Sequence, residues 1–238
     1  MKALIFDCDG VLVDTEKDGH RVAFNATFKE FGLDDAWDVA YYGELLQIAG
    51  GKERMRHHFQ THGWPAVAGE DHDAFIASLH VRKTAVFTDL IASGNLPLRP
   101  GVQRLVDEAI AARVRLGVCT TSNPKAIDGV LDLLGSERKG KFEFVLAGDV
   151  VSRKKPDPEI YELAKQELRL PAAECVVIED SRNGMLAALG ADLPVLITTS
   201  TYTVDEDFSG AIGVVPELGD APNINVTLDR LARLSSGN

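Results

Sequence analysis

Cysteine is scarce: the 238 residues contain 3, namely Cys8, Cys119 and Cys175. Each falls inside a strand-like apolar run, and they show no metal-ligand spacing. This argues against a disulfide framework or a thiolate metal centre and reads as small reduced core residues in a reducing compartment. Long apolar runs are also missing. No stretch approaches the ~20 residues of a membrane span, and with a strand beginning almost at Met1 no secretory signal is expected. Basic residues are outnumbered, 25 Lys and Arg against 36 Asp and Glu, for a formal net charge of -11. That balance disfavours nucleic acid and anionic membrane as partners, and an anionic ligand would need a local basic cluster. Internal repeats and low-complexity segments are absent. What is present is ordinary for a soluble globular protein: 45% hydrophobic and 26% charged residues, in a length that suits one large domain or one domain carrying a smaller insertion.

Two textures divide the chain. From Glu16 to Gly94 there is no strand signal, only helical periodicity broken by Gly and Pro. Val22, Phe24, Phe28 and Phe31 predict one amphipathic helix. Tyr41, Leu45, Leu46 and Ile48 predict a second, stopping at Gly50-Gly51. A third runs from Lys52 to Gly63, with His57 and His58 on its surface, and a fourth covers Phe75 to Ile91. From Pro100 onward short apolar strands (114–119, 144–146, 175–178, 194–197 and 213–215) alternate with helices. With the strand Ala3–Phe6 this predicts an α/β fold, a parallel sheet wrapped on both faces, with a helical bundle inserted after the first strand. The expected domains are therefore 1–15 with 95–238, and 16–94. Ligands of such sheets bind outside the carboxyl ends of the strands, so the polar residues there matter most.

Asp7 and Asp9 follow the first strand and can point into one pocket, where two like charges imply a shared proton or a bound cation. Thr120-Thr121-Ser122-Asn123 follow the strand ending at Cys119 and precede a helix, a turn suited to an anion or to plain N-capping. Glu179-Asp180-Ser181 follow the strand ending at Ile178, as a second acidic pair or a helix cap. Lys155, in Lys154-Lys155-Pro156-Asp157-Pro158, is presented at a rigid turn. Alone, Asp7 to Gly10 reads first as a turn and Lys155 as a surface lysine, while the other two segments read equally well as helix caps. Together, the hard oxygen donors Asp7, Asp180 and Glu179 point to Mg²⁺. Lysine, hydroxyls and helix-start amides point to a phosphate. The combination is a phosphoryl-transfer site.

The set Asp7-Cys8-Asp9-Gly10-Val11, Thr120, Lys155-Pro156 and Glu179-Asp180-Ser181, in that order across the chain, resembles the four motifs of the haloacid dehalogenase superfamily of phosphatases and mutases. The resemblance implies a Rossmann-like, doubly wound core with an α-helical cap. It makes Asp7 the nucleophile, Asp9 the acid and base, and Thr120 and Lys155 the holders of phosphate. Mg²⁺ would sit on Asp7, the main-chain carbonyl of Asp9, and Asp180, with Glu179 nearby or in the shell.

In the predicted cap, Gly50-Gly51-Lys52-Glu53-Arg54 combines two glycines, which allow close backbone approach, with a positive cluster of Lys52, Arg54 and Arg56. It lacks the spacing of a Walker A loop. His80-Val81-Arg82-Lys83 adds charge on another helix. Two basic loci fit a substrate with two phosphates. Asp14-Thr15-Glu16, Gly50 to Arg54 and Thr121-Ser122-Asn123 resemble the CbbY group, whose members dephosphorylate xylulose-1,5-bisphosphate. By that resemblance Glu16, Gly50 to Arg54, His80 to Lys83, and Thr120 to Ala126 (Lys125 included) contact a small sugar bisphosphate. The role of His20 stays open. The stretch from Asp14 to Phe24, with Trp37 and Tyr41 to Leu46, resembles the plastid form, which implies a chloroplast stromal enzyme shown without its transit peptide; otherwise the compartment reads as cytoplasmic. A monomer is expected. The alternatives are a β-phosphoglucomutase-like hexose-phosphate mutase, a signalling receiver module and a non-catalytic sugar-phosphate sensor.

Overall fold

The first strand, β1 (Ala3–Phe6), is buried along its whole length, as four consecutive apolar residues require when both faces of a sheet are covered. In the computed structural model, which describes residues 1–48, 50–94 and 96–236, the chain divides into two compact units, Met1–Thr15 with Leu96–Asn238, and Glu16–Asn95. The boundary expected at residue 95 falls outside the described residues.

In the first unit β1 pairs in parallel with β2 (Arg115–Cys119) on one side and β4 (Cys175–Glu179) on the other. β3 (Phe142–Leu146) pairs with β2, and β5 (Val195–Thr198) and β6 (Gly213–Val215) extend the sheet beyond β4. The order β3-β2-β1-β4-β5-β6 reverses direction beside β1, and the crevice at the carboxyl ends there is where such a sheet accepts a ligand. Helices of this unit are α5 (Val102–Ala111), α6 (Pro124–Asp132), α7 (Ser136–Lys139), α8 (Glu159–Leu168), α9 (Arg182–Gly190) and α10 (Leu228–Ser235). Ile5, Val177 and Ile197 pack with Ile160 and Ala164 of α8 and Met185 and Ala188 of α9 in one cluster. Their sequence neighbours Leu4, Phe6, Val176 and Ile178 are equally buried and, by strand alternation, face the other side.

The second unit opens with a π-helical turn over Thr15–His20, which the periodicity does not reveal, and continues into α1 (Arg21–Glu30). Then come α2 (Val39–Leu45), α3 (Gly51–His62) and α4 (His72–Ala92). Asp38 caps α2 by accepting from the Tyr41 N–H at 2.8 Å, and Asp71 caps α4 by accepting from that of Ala74 at 3.0 Å. The core of the unit is aromatic: Phe24, Phe28, Trp37, Tyr42 and Phe59 are fully buried, and the rings of Phe24 and Trp37 lie 4.6 Å apart.

Three expectations for this unit need correction. α2 ends at Leu45, short of the glycine pair, because the N–H groups of Gln47 and Ile48 bond three residues back and wind the chain into a turn. His58 is not on the surface. It is buried against Trp37, donates from Nε2 to Asp35 Oδ1 at 2.7 Å and meets the Tyr41 hydroxyl at 3.0 Å; these polar partners satisfy an imidazole on the core face. Nor do Lys52, Arg54 and Arg56 form one positive cluster: Arg56 pairs with Asp73 at 2.6 Å, while Arg54 donates from Nε to the Ile48 carbonyl at 2.9 Å.

Candidate active site

Asp7 stands just beyond β1, with its N–H still bonded to the Ile178 carbonyl at 2.9 Å. Asp9 sits on the tight turn that follows, closed by Gly10 N–H to the Val13 carbonyl at 2.7 Å and Leu12 N–H to that of Cys8 at 2.9 Å. Thr120 leaves β2, and its N–H bonds the Leu146 carbonyl at 2.9 Å. Glu179 closes β4 and Asp180 precedes Ser181, the cap of α9, which accepts from the Gly184 N–H at 3.1 Å. Adjacent strands thus bring acidic and hydroxyl side chains to one rim. Asp7, Asp9, Thr120, Thr121, Lys155, Glu179 and Asp180 line a single cavity of about 510 Å³.

Lys155 organises the floor. Its Nζ donates to Asp7 Oδ1 at 2.6 Å, to Glu179 Oε1 at 2.6 Å and to the Cys119 carbonyl at 2.9 Å. Glu179 is bonded at both oxygens: Oε1 also accepts from the buried Tyr161 hydroxyl at 2.6 Å, and Oε2 accepts from the Asp180 N–H at 3.2 Å. Asp9 is held separately. The Thr15 hydroxyl donates to Oδ1 at 2.7 Å, the Ser122 hydroxyl donates to Oδ2, and Thr120 Oγ1 lies 3.5 Å from Oδ2.

The electrostatics of this floor are unbalanced. Burial alone would discharge Lys155, but Asp7 and Glu179 outweigh it and raise the lysine above its ordinary value. Burial also raises Asp7 well above the carboxylate range; Lys155 opposes this, while Glu179, Asp9 and Asp180 add to it. Asp180 is pushed up to about 8 by burial and by Glu179, against the influence of Ser200, Arg99 and Lys155. One ammonium among four carboxylates leaves a deficit of positive charge. Carboxylate oxygens of Asp7, Glu179 and Asp180 lie within 4.8 Å of one another. Gly10, at φ +83°, closes this corner so tightly that a Cβ there would collide with the Asp180 carboxylate. A buried set of hard oxygens short of positive charge fits a small divalent cation.

Some residues predicted for the site lie apart from it. Asn123 caps α6, accepting from the Lys125 N–H at 2.9 Å, and lines a neighbouring cavity of about 480 Å³ with Thr121. Lys125 is exposed on the first turn of α6. Asn183 and Tyr161 join the site without a signal in the sequence: Asn183 lines the cavity and Tyr161 bonds Glu179. Lys154, from the predicted lysine turn, also lines the cavity, and Thr15 bonds Asp9. A tyrosine or asparagine in the first turn of a helix looks like any other.

The helical unit gathers a second polar cluster. The Tyr42 hydroxyl, fully buried, donates to Glu16 Oε2 at 2.6 Å and accepts from Arg54 Nη1 at 3.4 Å. Lys83 is buried 4.6 Å from the ring centre of Phe24, and its Nζ donates to His20 Nδ1 at 2.9 Å. Burial, then Glu16 in opposition and Arg54 in support, brings Lys83 down to about 8. Gly50, at φ +95°, packs on the Glu53 carboxylate, and Gly51 faces Phe24 and His80. Burial, then Lys52 and Lys83, lowers His80, while Glu53 opposes. Arg82 turns away, bidentate to Glu30 at 2.5 and 2.8 Å on the exposed surface.

The profile of the haloacid dehalogenase-like hydrolases matches residues 1–192. The chain belongs to that family. This hydrolase is 53% identical over 224 residues to the CBBY-like protein of Arabidopsis thaliana, a match spanning 92% of the chain and 70% of the relative. It is 45% identical over 222 residues to Protein CbbY of Rhodobacter capsulatus, spanning 93% of the chain and 95% of the relative. Among solved structures, a mutant of CbbY from Rhodobacter sphaeroides in complex with xylulose-(1,5)bisphosphate resembles the hydrolase with a TM-score of 0.72 and 37% identity, over 97% of this chain and 99% of that one. No described helix is long and apolar enough to cross a membrane.

Proposed function

We propose that this hydrolase is a Mg²⁺-dependent sugar-bisphosphate phosphatase that converts xylulose-1,5-bisphosphate and water to xylulose 5-phosphate and inorganic phosphate. One observation carries the chemistry: Asp7, held by Lys155, opens with Asp9 onto the same acidic cavity. The substrate follows from the likeness to CbbY solved with xylulose-(1,5)bisphosphate.

An oxygen of Asp7 attacks phosphorus as the bond from phosphorus to the sugar oxygen breaks, leaving an aspartyl-phosphate. Protonated Asp9 gives its proton to the departing sugar oxygen, so no bare alkoxide is expelled. Asp9, now a carboxylate steadied by Thr15 and Ser122, takes a proton from water. That water attacks phosphorus, freeing phosphate and restoring both aspartates. Lys155 and Thr120 neutralise and orient phosphate oxygens against the like-charged nucleophile. Asp7, Asp180 and the Asp9 main-chain carbonyl would hold the cation, with Glu179 orienting Lys155 beside it. When bound, the cation offsets charge on the transferred group. The cluster of Glu16, Arg54 and Lys83, with His80, Lys52 and the Gly50-Gly51 turn, would grip the second phosphate and the sugar hydroxyls, while Ser122 and its neighbours serve the first.

Phosphate release from xylulose-1,5-bisphosphate, ribulose-1,5-bisphosphate and glucose 1-phosphate tests the reading. Release from the first well above the others is expected. Failure to release it, with isomerisation of glucose 1-phosphate instead, would assign the enzyme to the mutases. The likeness to the Arabidopsis protein supports a place in the chloroplast stroma, which a fluorescent fusion of the full-length protein would test. A monomer remains the expectation for size-exclusion measurements.

A further inference from the structure

Arg99 lies outside every catalytic motif, yet it binds the backbone that carries the site. It follows Leu98, whose backbone bridges to Val13, and its own N–H bonds the Leu12 carbonyl at 2.8 Å. Nη1 donates to the Gly10 carbonyl and to that of Thr198 at 3.1 Å. Nη2 donates to the Thr199 and Pro216 carbonyls, each at 2.7 Å. One side chain therefore ties the turn carrying Asp9 to the carboxyl ends of β5 and β6. Asp14, whose field it shares, accepts from the Thr201 hydroxyl at 2.5 Å.

The anchored carbonyl belongs to Gly10, the residue that packs directly on the Asp180 carboxylate. A small shift of the turn toward Asp180 would collide with it, and a shift away would let that carboxylate turn. A planar guanidinium with donors fixed in a fork suits this task, since it holds several carbonyls at set distances. We propose that Arg99 is a positioning residue for the cation site, fixing Gly10 and through it the seat of Asp180. The inference rests on the reading that Asp7 and Asp180 hold the divalent ion.

Arg104 provides a comparison. It also binds carbonyls, of Gly219 at 2.7 Å and Val226 at 2.8 Å, beside an ion pair with Glu108 at 2.5 Å, but none of these partners lines the acidic cavity. The test is calorimetric titration of Mg²⁺ into the purified full chain without substrate, alongside thermal melting. R99Q should weaken Mg²⁺ affinity by about tenfold, the range seen when groups that orient metal ligands are removed. R99K keeps the charge but cannot fork to four carbonyls, so it should lose nearly as much, and it carries the test if R99Q does not fold. R104Q should lower the melting temperature while leaving Mg²⁺ affinity within about twofold of wild type. Wild-type Mg²⁺ affinity in the Arg99 variants, or an equal loss in R104Q, would overturn the proposal. Unchanged affinity in D180N would instead remove the cation reading beneath it.

Discussion

Lys155 directs its three donors at Asp7, Glu179 and the Cys119 carbonyl, and this single side chain decides what its neighbours can do. Removing it strands two buried carboxylates without their counter-charge, a change that typically costs 3–5 kcal/mol. Lys155→Met should therefore lower unfolding stability by about that amount in urea denaturation, and a loss below about 1 kcal/mol would contradict the pairing. Asp7→Asn is different. The amide keeps the shape and a hydrogen-bonding oxygen, so circular dichroism should be unchanged while turnover falls by several orders of magnitude. Near-normal turnover would refute Asp7 as the nucleophile.

At the scale of elements, the π-helical turn Thr15–His20 and α4 meet through His20 and Lys83. Burial, with Lys83 and Arg54 adding to it, holds His20 down at about 3. The folded state thus favours the neutral ring. Below the unfolded value near 6.5 the unfolded chain binds the extra proton, so this contribution to stability is complete above pH 6.5 and is lost as pH falls toward 3. Lys83, lowered to about 8, has the same sign in a higher window: its contribution is complete above the unfolded value near 10.5 and is lost as pH falls through about 8. His20→Gln should flatten the acid limb, narrowing the stability lost between pH 6.5 and 5 by on the order of 2 kcal/mol. Denaturant midpoints at a series of pH values would show it, and parallel curves for wild type and variant would dismiss the linkage.

For the whole molecule, the formal charge of -11 repels a bisphosphate at a distance, so productive binding depends on local positive charge. Lys155 supplies some, and the acidic floor around it fits a cation as well. EDTA should abolish phosphate release and Mg²⁺ should restore it; full activity after exhaustive chelation would exclude the metal requirement. If Asp7 and Asp180 hold the ion as proposed, Mg²⁺ should also raise the melting temperature of wild type more than that of Asp180→Asn.

The order of apolar runs and glycines sufficed to determine the alternation of strands and helices, the inserted helical stretch and the acidic pairs after β1 and β4. These are local properties, written in the period of side chains along one segment. The positions of Asp7, Asp9, Thr120 and Asp180 were legible for the same reason, since each lies within three residues of the end of an apolar run. Partners were not. That Tyr161 bonds Glu179, that Asp35 buries His58, that Arg82 turns to Glu30 while Lys83 turns inward, and that Arg99 reaches Gly10 all depend on residues 18 to 89 positions apart. Only tertiary structure brings such groups within hydrogen-bond range, because a hydrogen bond is selected by distance and angle in space, and sequence separation constrains neither.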